Sequence, residues 1–184
     1  MVEKGVVESL GGKKMGRRRL IAALAGFVCL CVPSAALAAS EVYFSPKGGI
    51  RQRLVAAIRG ANESIDVAVY HITSFELADA LGAAKARGVR IRILTDREKL
   101  RAGGGAYRIL ERHRIPVRAL GSADDGLMHH KFAIFDDRLV ATGSYNWTQT
   151  AERANYENVV LIDDPKVVAR FTEEFQRLWL SSGD

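Results

Sequence analysis

Residues 129–148, HHKFAIFDDRLVATGSYNWT, set groups that do chemistry among groups that build cores. His129 and Lys131 stand two apart, and so do Ser144 and Asn146. On a strand, residues two apart share a face. His129 therefore points with Lys131, while His130 points with Phe132 and Ile134. The same alternation puts Asp136 on the face of His130, away from His129. If 130–136 and 138–144 pair as a hairpin about Asp136 and Asp137, its open end collects His129, Lys131 and Asn146. Imidazole is a nucleophile or an acid/base near neutral pH. Lysine and asparagine donate hydrogen bonds to phosphate oxygens as charge builds in a transition state. The triple suits attack on a phosphodiester. One histidine without a carboxylate pair gives too few ligands for a catalytic zinc or a two-metal centre, so no metal and no cofactor is expected.

The elements that must position these groups alternate in type. Residues 40–44 read as a first strand. Ile50, Leu54, Ala57 and Ile58 recur at helical spacing. The β-branched run 64–72 reads as a strand, and Thr73 with Glu76 as a capping box that opens a helix ended by Gly88. A half-buried strand follows at 89–94. The stretch 97–115 looks helical at its end, but its triple glycine resists a single helix and lacks the Gly-Lys-Ser/Thr of a phosphate-cradling loop, so it reads as a flexible connection. A short strand at 117–120, a turn over 121–126, the hairpin and a strand at 157–162 come next. Asp164 then caps a last helix with Pro165 at its first position and Val167, Phe171, Phe175 and Leu178 as its buried stripe. The order βαβαβαβ, then strands, then α predicts an α/β sandwich with a mixed sheet flanked by helices.

Residues 1–38 read as a leader rather than as part of the domain 39–184. Lys13, Lys14 and Arg17–Arg19 precede an apolar run from Leu20 to Val32, and Ala36-Leu37-Ala38 offers a cleavage site. An uncleaved anchor is the competing reading. Both cysteines, Cys29 and Cys31, lie in that run, so a chain starting at Ala39 has no thiol for a disulfide, a metal or a nucleophile. It carries 21 Lys and Arg against 19 Asp and Glu, a net charge of +2 where the full chain has +6. The overall basicity is mostly leader. Its distribution says more: residues 85–118 hold eleven Lys and Arg against Asp96, Glu98 and Glu111. Such a segment attracts phosphates if its charges share a face, and is a solvated helix surface if they do not.

His129-x-Lys131-x4-Asp136-x6-Gly143-Ser144-x-Asn146 resembles the HKD signature of the phospholipase D superfamily. At about one in twenty per residue type, six fixed positions match by chance on the order of once in a million chains. A leader followed by one HKD copy is similar to the small exported bacterial endonucleases of that superfamily, and to its mitochondrial single-copy members. The tip Asp-Asp-Arg differs from the more usual Asp-Gly turn. The resemblance implies a phospholipase D-like fold and assigns roles. His129 matches the nucleophile that forms a phosphohistidine, Lys131 and Asn146 the phosphate-binding pair, and Ser144 a supporting hydrogen-bonding group. Glu157 matches the glutamate that orients the histidine. Asp136 matches the motif aspartate, and the strand alternation gives it a structural task. A single copy supplies one histidine where a double displacement uses two, which implies a two-fold homodimer with the active site at its interface.

The other candidates have plainer readings. His130 is a packed structural histidine and His113 a solvated one. His71 stands at the site edge or packs. Tyr145 and Trp147 pack under the site or stack on a base. Three functions compete. The first is a metal-independent endonuclease acting on DNA, with RNA as a further candidate, periplasmic or secreted, and without stable membrane association once the leader is removed. The second is a lipid phosphodiesterase, which would want an apolar entry surface that the sequence does not display. The third is a non-catalytic nucleic-acid-binding module, against which intact His129, Lys131 and Asn146 argue. The leader reading has its own test: intact-mass measurement of the protein exported from a bacterial host should find a chain beginning at Ala39.

Overall fold

A computed structural model of the chain describes residues 40–122 and 126–182. The leader and its cleavage site lie outside the described residues. The elements run β1 (Ser40–Ser45), α1 (Ile50–Gly60), β2 (Ser64–Val69), α2 (Phe75–Ala86), β3 (Arg90–Asp96), α3 (Arg97–Ala102), α4 (Gly105–Arg112), β4 (Val117–Ser122), β5 (Gly126–Leu127), β6 (Lys131–Phe135), β7 (Leu139–Gly143), α5 (Gln149–Arg153), β8 (Glu157–Ile162) and α6 (Pro165–Ser181). One eight-stranded sheet has the order β1-β8-β7-β6-β2-β3-β4-β5. The pairs β2–β3 and β3–β4 are parallel, and the rest are antiparallel. This is the α/β sandwich with a mixed sheet that the pattern predicts.

Strand β2 shows why helices cover both faces. All six of its residues are buried. Ile65, Val67 and Val69 enter the larger core under α1, α2 and α4, while Ala68 enters the smaller core under α6. Asp66 shares the α6 side and is tied to Arg92 through Nε (2.8 Å) and Nη2 (2.6 Å). The Arg92 guanidinium lies over the rings of Phe175 (4.9 Å) and Trp179 (5.4 Å). A carboxylate this deep is tolerated because a bidentate, stacked arginine neutralises it.

Several local expectations are corrected. Ser74, not Thr73, caps α2 by accepting from the Leu77 N–H, and the Thr73 hydroxyl accepts from Gln149 N–H instead. The stretch 97–115 is two helices rather than a flexible connection. Asp96 caps α3, and Gly103 and Gly104, both at positive φ, break the chain between α3 and α4. Gly121 and Ser122 belong to β4 and pair with β5. Helix α5, capped by Thr148, is not anticipated from the sequence. In α6 the fully buried residues are Val168 and Phe175, with Val167, Phe171 and Leu178 only partly covered. His113 is half-buried against Gly82, where a Cβ would come within 2.5 Å of its ring.

The hairpin forms as read, with Phe135 opposite Leu139 and Phe132 opposite Thr142. Asp136 and Asp137 take φ values of 53° and 50°, a region that aspartate tolerates better than most residues. Asp136 also anchors the turn. Its Oδ1 accepts from the N–H groups of Glu63 (2.8 Å) and Ser64 (2.9 Å), and its Oδ2 from Asn62 (2.9 Å). Burial opposes the charge, but these backbone donors outweigh it and hold the carboxyl below its ordinary range. A depressed folded pKa gives stability that is present above the unfolded value and lost as pH falls through the folded one. Asp136→Asn should therefore cost about 1–2 kcal/mol at neutral pH. In urea unfolding the deficit should shrink once the pH is below the folded pKa.

Candidate active site

The chemistry-bearing residues gather at one end of the central strands. Val69, the last residue of β2, pairs with Lys131, the first of β6, and Tyr70 N–H donates to the His130 carbonyl (2.9 Å). This places Tyr70 beside the motif. Its ring lies 4.8 Å from the His129 ring at 59°, and 5.3 Å from Lys131 Nζ. Lys131 Nζ donates to the His129 carbonyl (2.7 Å). The imidazole is exposed and the lysine half-buried. Burial lowers the Lys131 ammonium below the ordinary lysine range, with the Glu157 carboxylate acting in the opposite sense. His129 and Lys131 thus share one side, as strand alternation predicts.

The second half of the motif is positioned from β8. Gly143 lies so close to that strand that a Cβ would stand 2.2 Å from the Asn158 carbonyl oxygen, which excludes any side chain. Ser144 Oγ donates to Glu157 Oε2 (2.5 Å) and accepts from Asn158 N–H (3.1 Å). Glu157 Oε1 accepts from Asn155 Nδ2 (2.9 Å). Glu157 is thus held by Ser144 and Asn155, on the Lys131 side of the site. Asn146 follows, and its Oδ1 is buried without a hydrogen-bond partner among the described residues. A buried orphan acceptor is costly unless a ligand completes it. The oxygen and nitrogen of an amide exchange on a half-turn, so this edge can also present a donor.

Tyr145 and Trp147, left open between packing and stacking, both pack. Each is buried. Tyr145 Oη donates to Glu152 Oε2 (2.9 Å), and burial followed by that carboxylate pushes the phenol pKa up. The Trp147 carbonyl accepts from Thr73 (2.8 Å) and Ser74 (2.9 Å), locking the segment to the start of α2. His71 is half-buried, 6.5 Å from the Tyr70 ring, and burial followed by the Lys99 charge lowers its pKa. His130 is more exposed than a packed histidine, touching Phe132 at 5.4 Å with Glu174 at 3.7 Å. Asp136 stands at the turn, beyond the whole of β6 from His129. It is not brought to the site.

Two participants escape a motif-based reading: Tyr70 and Lys99, whose Nζ lies 5.1 Å from the Tyr70 ring centroid. Tyr70 had a usable signal, as an aromatic residue ending a buried run. Lys99 had none, because its stretch was not read as helical. A cavity of about 440 Å³ adjoins His129 and His130, walled by Leu120, Met128 and Leu178. A larger hollow of about 630 Å³ between α1 and α2 holds none of these groups. Among the described residues no three His, Cys, Asp or Glu side chains could hold a metal ion together. What the arrangement offers is an exposed imidazole, a neighbouring ammonium and an amide with an unsatisfied edge.

Fold and site together are those of a domain of the phospholipase D type. The chain belongs to that superfamily: residues 54–179 match the family model described as cardiolipin synthase, PLD-like domain. The human mitochondrial cardiolipin hydrolase is 40% identical over 127 residues, 69% of this chain and 50% of that protein. The chain spans about half the length of the curated relatives it matches. Among solved structures, the phospholipase D family member Nuc from Salmonella typhimurium superposes with a TM-score of 0.71 at 34% identity, covering 80% of this chain and 97% of that one. NucT from Helicobacter pylori gives 0.69 at 26%, covering 79% and 97%.

The orphan amide generates a prediction. Asn146→Ala removes no hydrogen bond seen in the structure, so its unfolding free energy should stay within about 0.5 kcal/mol of the wild type. Turnover of a phosphodiester should fall by about 10²-fold or more. Ser144→Ala should differ by also lowering the melting temperature, since it strips Glu157 and the Asn158 N–H of a partner.

Proposed function

We propose that this chain is an endonuclease of low sequence preference that hydrolyses DNA, and RNA as a second substrate, through a phosphohistidine on His129. The observation that carries this reading is the exposed His129 imidazole with the Lys131 ammonium bound to its own carbonyl, both beside the Tyr70 ring. An exposed nucleophile on an open surface suits a polymer that cannot enter a closed pocket.

The steps follow from the groups present. A His129 ring nitrogen attacks phosphorus, and the bond to the leaving oxygen breaks. Lys131, Asn146 and Ser144 stabilise the charge on the non-bridging oxygens. Glu157 positions the serine and biases the electrostatics at Lys131. Water then displaces the histidine from phosphorus, which restores the free imidazole. The leaving oxygen needs a proton in the first step and the attacking water must lose one in the second. His129 of the partner subunit serves for both in a two-fold homodimer. Asp136 takes no part beyond anchoring the turn. The leader reading places the enzyme outside the cytoplasm, in the periplasm or secreted, without stable membrane association after cleavage at Ala38.

A lipid phosphodiester is the second reading. It is favoured by the relatives named mitochondrial cardiolipin hydrolase. Among the described residues no helix is long and apolar enough to cross a membrane.

The test is nicking of supercoiled plasmid in EDTA by the protein from Ala39 onward, beside His129→Ala. Cutting by the wild type alone is the expected outcome. If neither protein cuts, cardiolipin-containing vesicles become the substrate to assay. Equal cutting by both would remove His129 from the mechanism.

A further inference from the structure

The basic segment 85–118 raises electrostatics that the motif leaves unexplained, and the structure gives several of its cations a structural task. Arg87 Nη2 donates to the carbonyls of Ile58 (3.2 Å), Arg59 (3.1 Å) and Ala61 (2.9 Å). Arg92 neutralises Asp66. Arg97 Nε donates to the Gly121 carbonyl (3.1 Å). Arg118 donates to the Trp179 carbonyl (2.9 Å) and lies over its ring. These four hold the fold together. Lys85 and Arg90 sit where β3 begins, at the end of the sheet opposite the motif.

Lys99 is different. It forms no ion pair among the described residues, its α3 helix follows directly on β3, and its ammonium lies 5.1 Å from the centroid of the ring that also carries Lys131 at 5.3 Å. Two like charges converge on one aromatic ring, whose negative face lessens their repulsion. Contact with the Tyr70 hydroxyl keeps Lys99 above the ordinary lysine value, so it is charged at neutral pH. The two ammonium nitrogens are no more than about 10 Å apart, and a nucleic-acid strand carries one charge for about every 3.4 Å of its axis. Successive phosphates of one strand can therefore meet both.

We propose that Lys99, presented by Tyr70, is a specificity residue that binds the phosphate next to the one being cleaved, so that the site prefers a polynucleotide over an isolated phosphodiester. The proposal rests on the nuclease reading above. It assigns the site an element outside the HKD motif, contributed by α3. Lys131 meets the scissile phosphate in every substrate, whereas Lys99 finds a partner only where a second phosphate follows.

The experiment compares kcat/KM for a single-stranded oligothymidylate with that for bis(p-nitrophenyl) phosphate, which has one diester and no neighbouring phosphate. Wild type, Lys99→Ala and Lys99→Arg are measured over a range of salt. In Lys99→Ala the ratio of the two constants should fall roughly tenfold, the worth of about one charge-assisted contact. The slope of log kcat/KM against log salt on the oligonucleotide should become shallower by about one. Lys99→Arg should restore most of both. An unchanged ratio overturns the proposal, whether Lys99→Ala is as active as the wild type or loses equally on both substrates. In the second case Lys99 would act through Tyr70 on the centre itself. A wild type that hydrolyses bis(p-nitrophenyl) phosphate but leaves the oligonucleotide intact would instead overturn the nuclease reading, and the role of Lys99 with it.

Discussion

The register of β2 against β6 is the constraint on which the rest of the molecule depends. Val69 pairs with Lys131 and Ile65 with Phe135. A slip of one residue would turn Lys131 and His129 to the opposite face and bury the wrong side of both strands. The register is pinned at both ends. At the turn, the Asp136 carboxylate gathers the N–H groups that lead into β2. At the site, Tyr70 N–H meets the His130 carbonyl. The motif aspartate therefore acts on the site from far away, by keeping the strand that leads from His129 in step with its neighbour. Its spacing from His129 in sequence is the length of that strand.

The same logic explains the division of labour among charged groups. Buried charges such as Asp66 and Arg92 have every partner within the fold. The Asn146 amide, by contrast, is left incomplete, and the imidazole and the two lysines gather about the Tyr70 ring. A site that takes an anion needs donors not already satisfied from within. Glu157 is the acid that acts on Lys131, and its oxygens are occupied by Ser144 and Asn155. It can orient the site without competing with an incoming phosphate as strongly as a free carboxylate would.

Much of this was legible in the residues. Period-two alternation in 129–135 placed His129 with Lys131 and sent Asp136 elsewhere, because a strand with one buried face leaves little freedom. The α/β class followed from strands and helices alternating in long apolar runs. What escaped had local physical causes. Thr73 and Ser74 are both good caps, and the choice between them is made by Trp147 and Gln149, remote in sequence. The glycines at 103 and 104 read as flexibility, yet at positive φ they turn the chain between two short helices, of which α4 is held by burying Ala106, Tyr107 and Leu110. Tyr70 is marked in the sequence as an aromatic residue ending a buried run, but its place beside His129 depends on which strand lies next to β6. The basic segment was misleading as a block, since arginine caps carbonyls and neutralises buried acids as readily as it binds phosphate.

Strand β1 lies at the outer edge of the sheet, joined to it through β8 alone. Its end reaches Glu157. Ser45 Oγ accepts from Glu157 N–H (3.2 Å) and donates to the Asn155 carbonyl (2.9 Å), while Arg53 grips Glu41 so firmly that its carboxyl falls to about 2. Terminal segments with few partners are where native proteins fray first. Fraying of β1 would free the backbone N–H of Glu157, the residue that holds Ser144, from its Ser45 partner. The strand works as a clasp, closing the outer edge of the sheet over the backbone of Glu157.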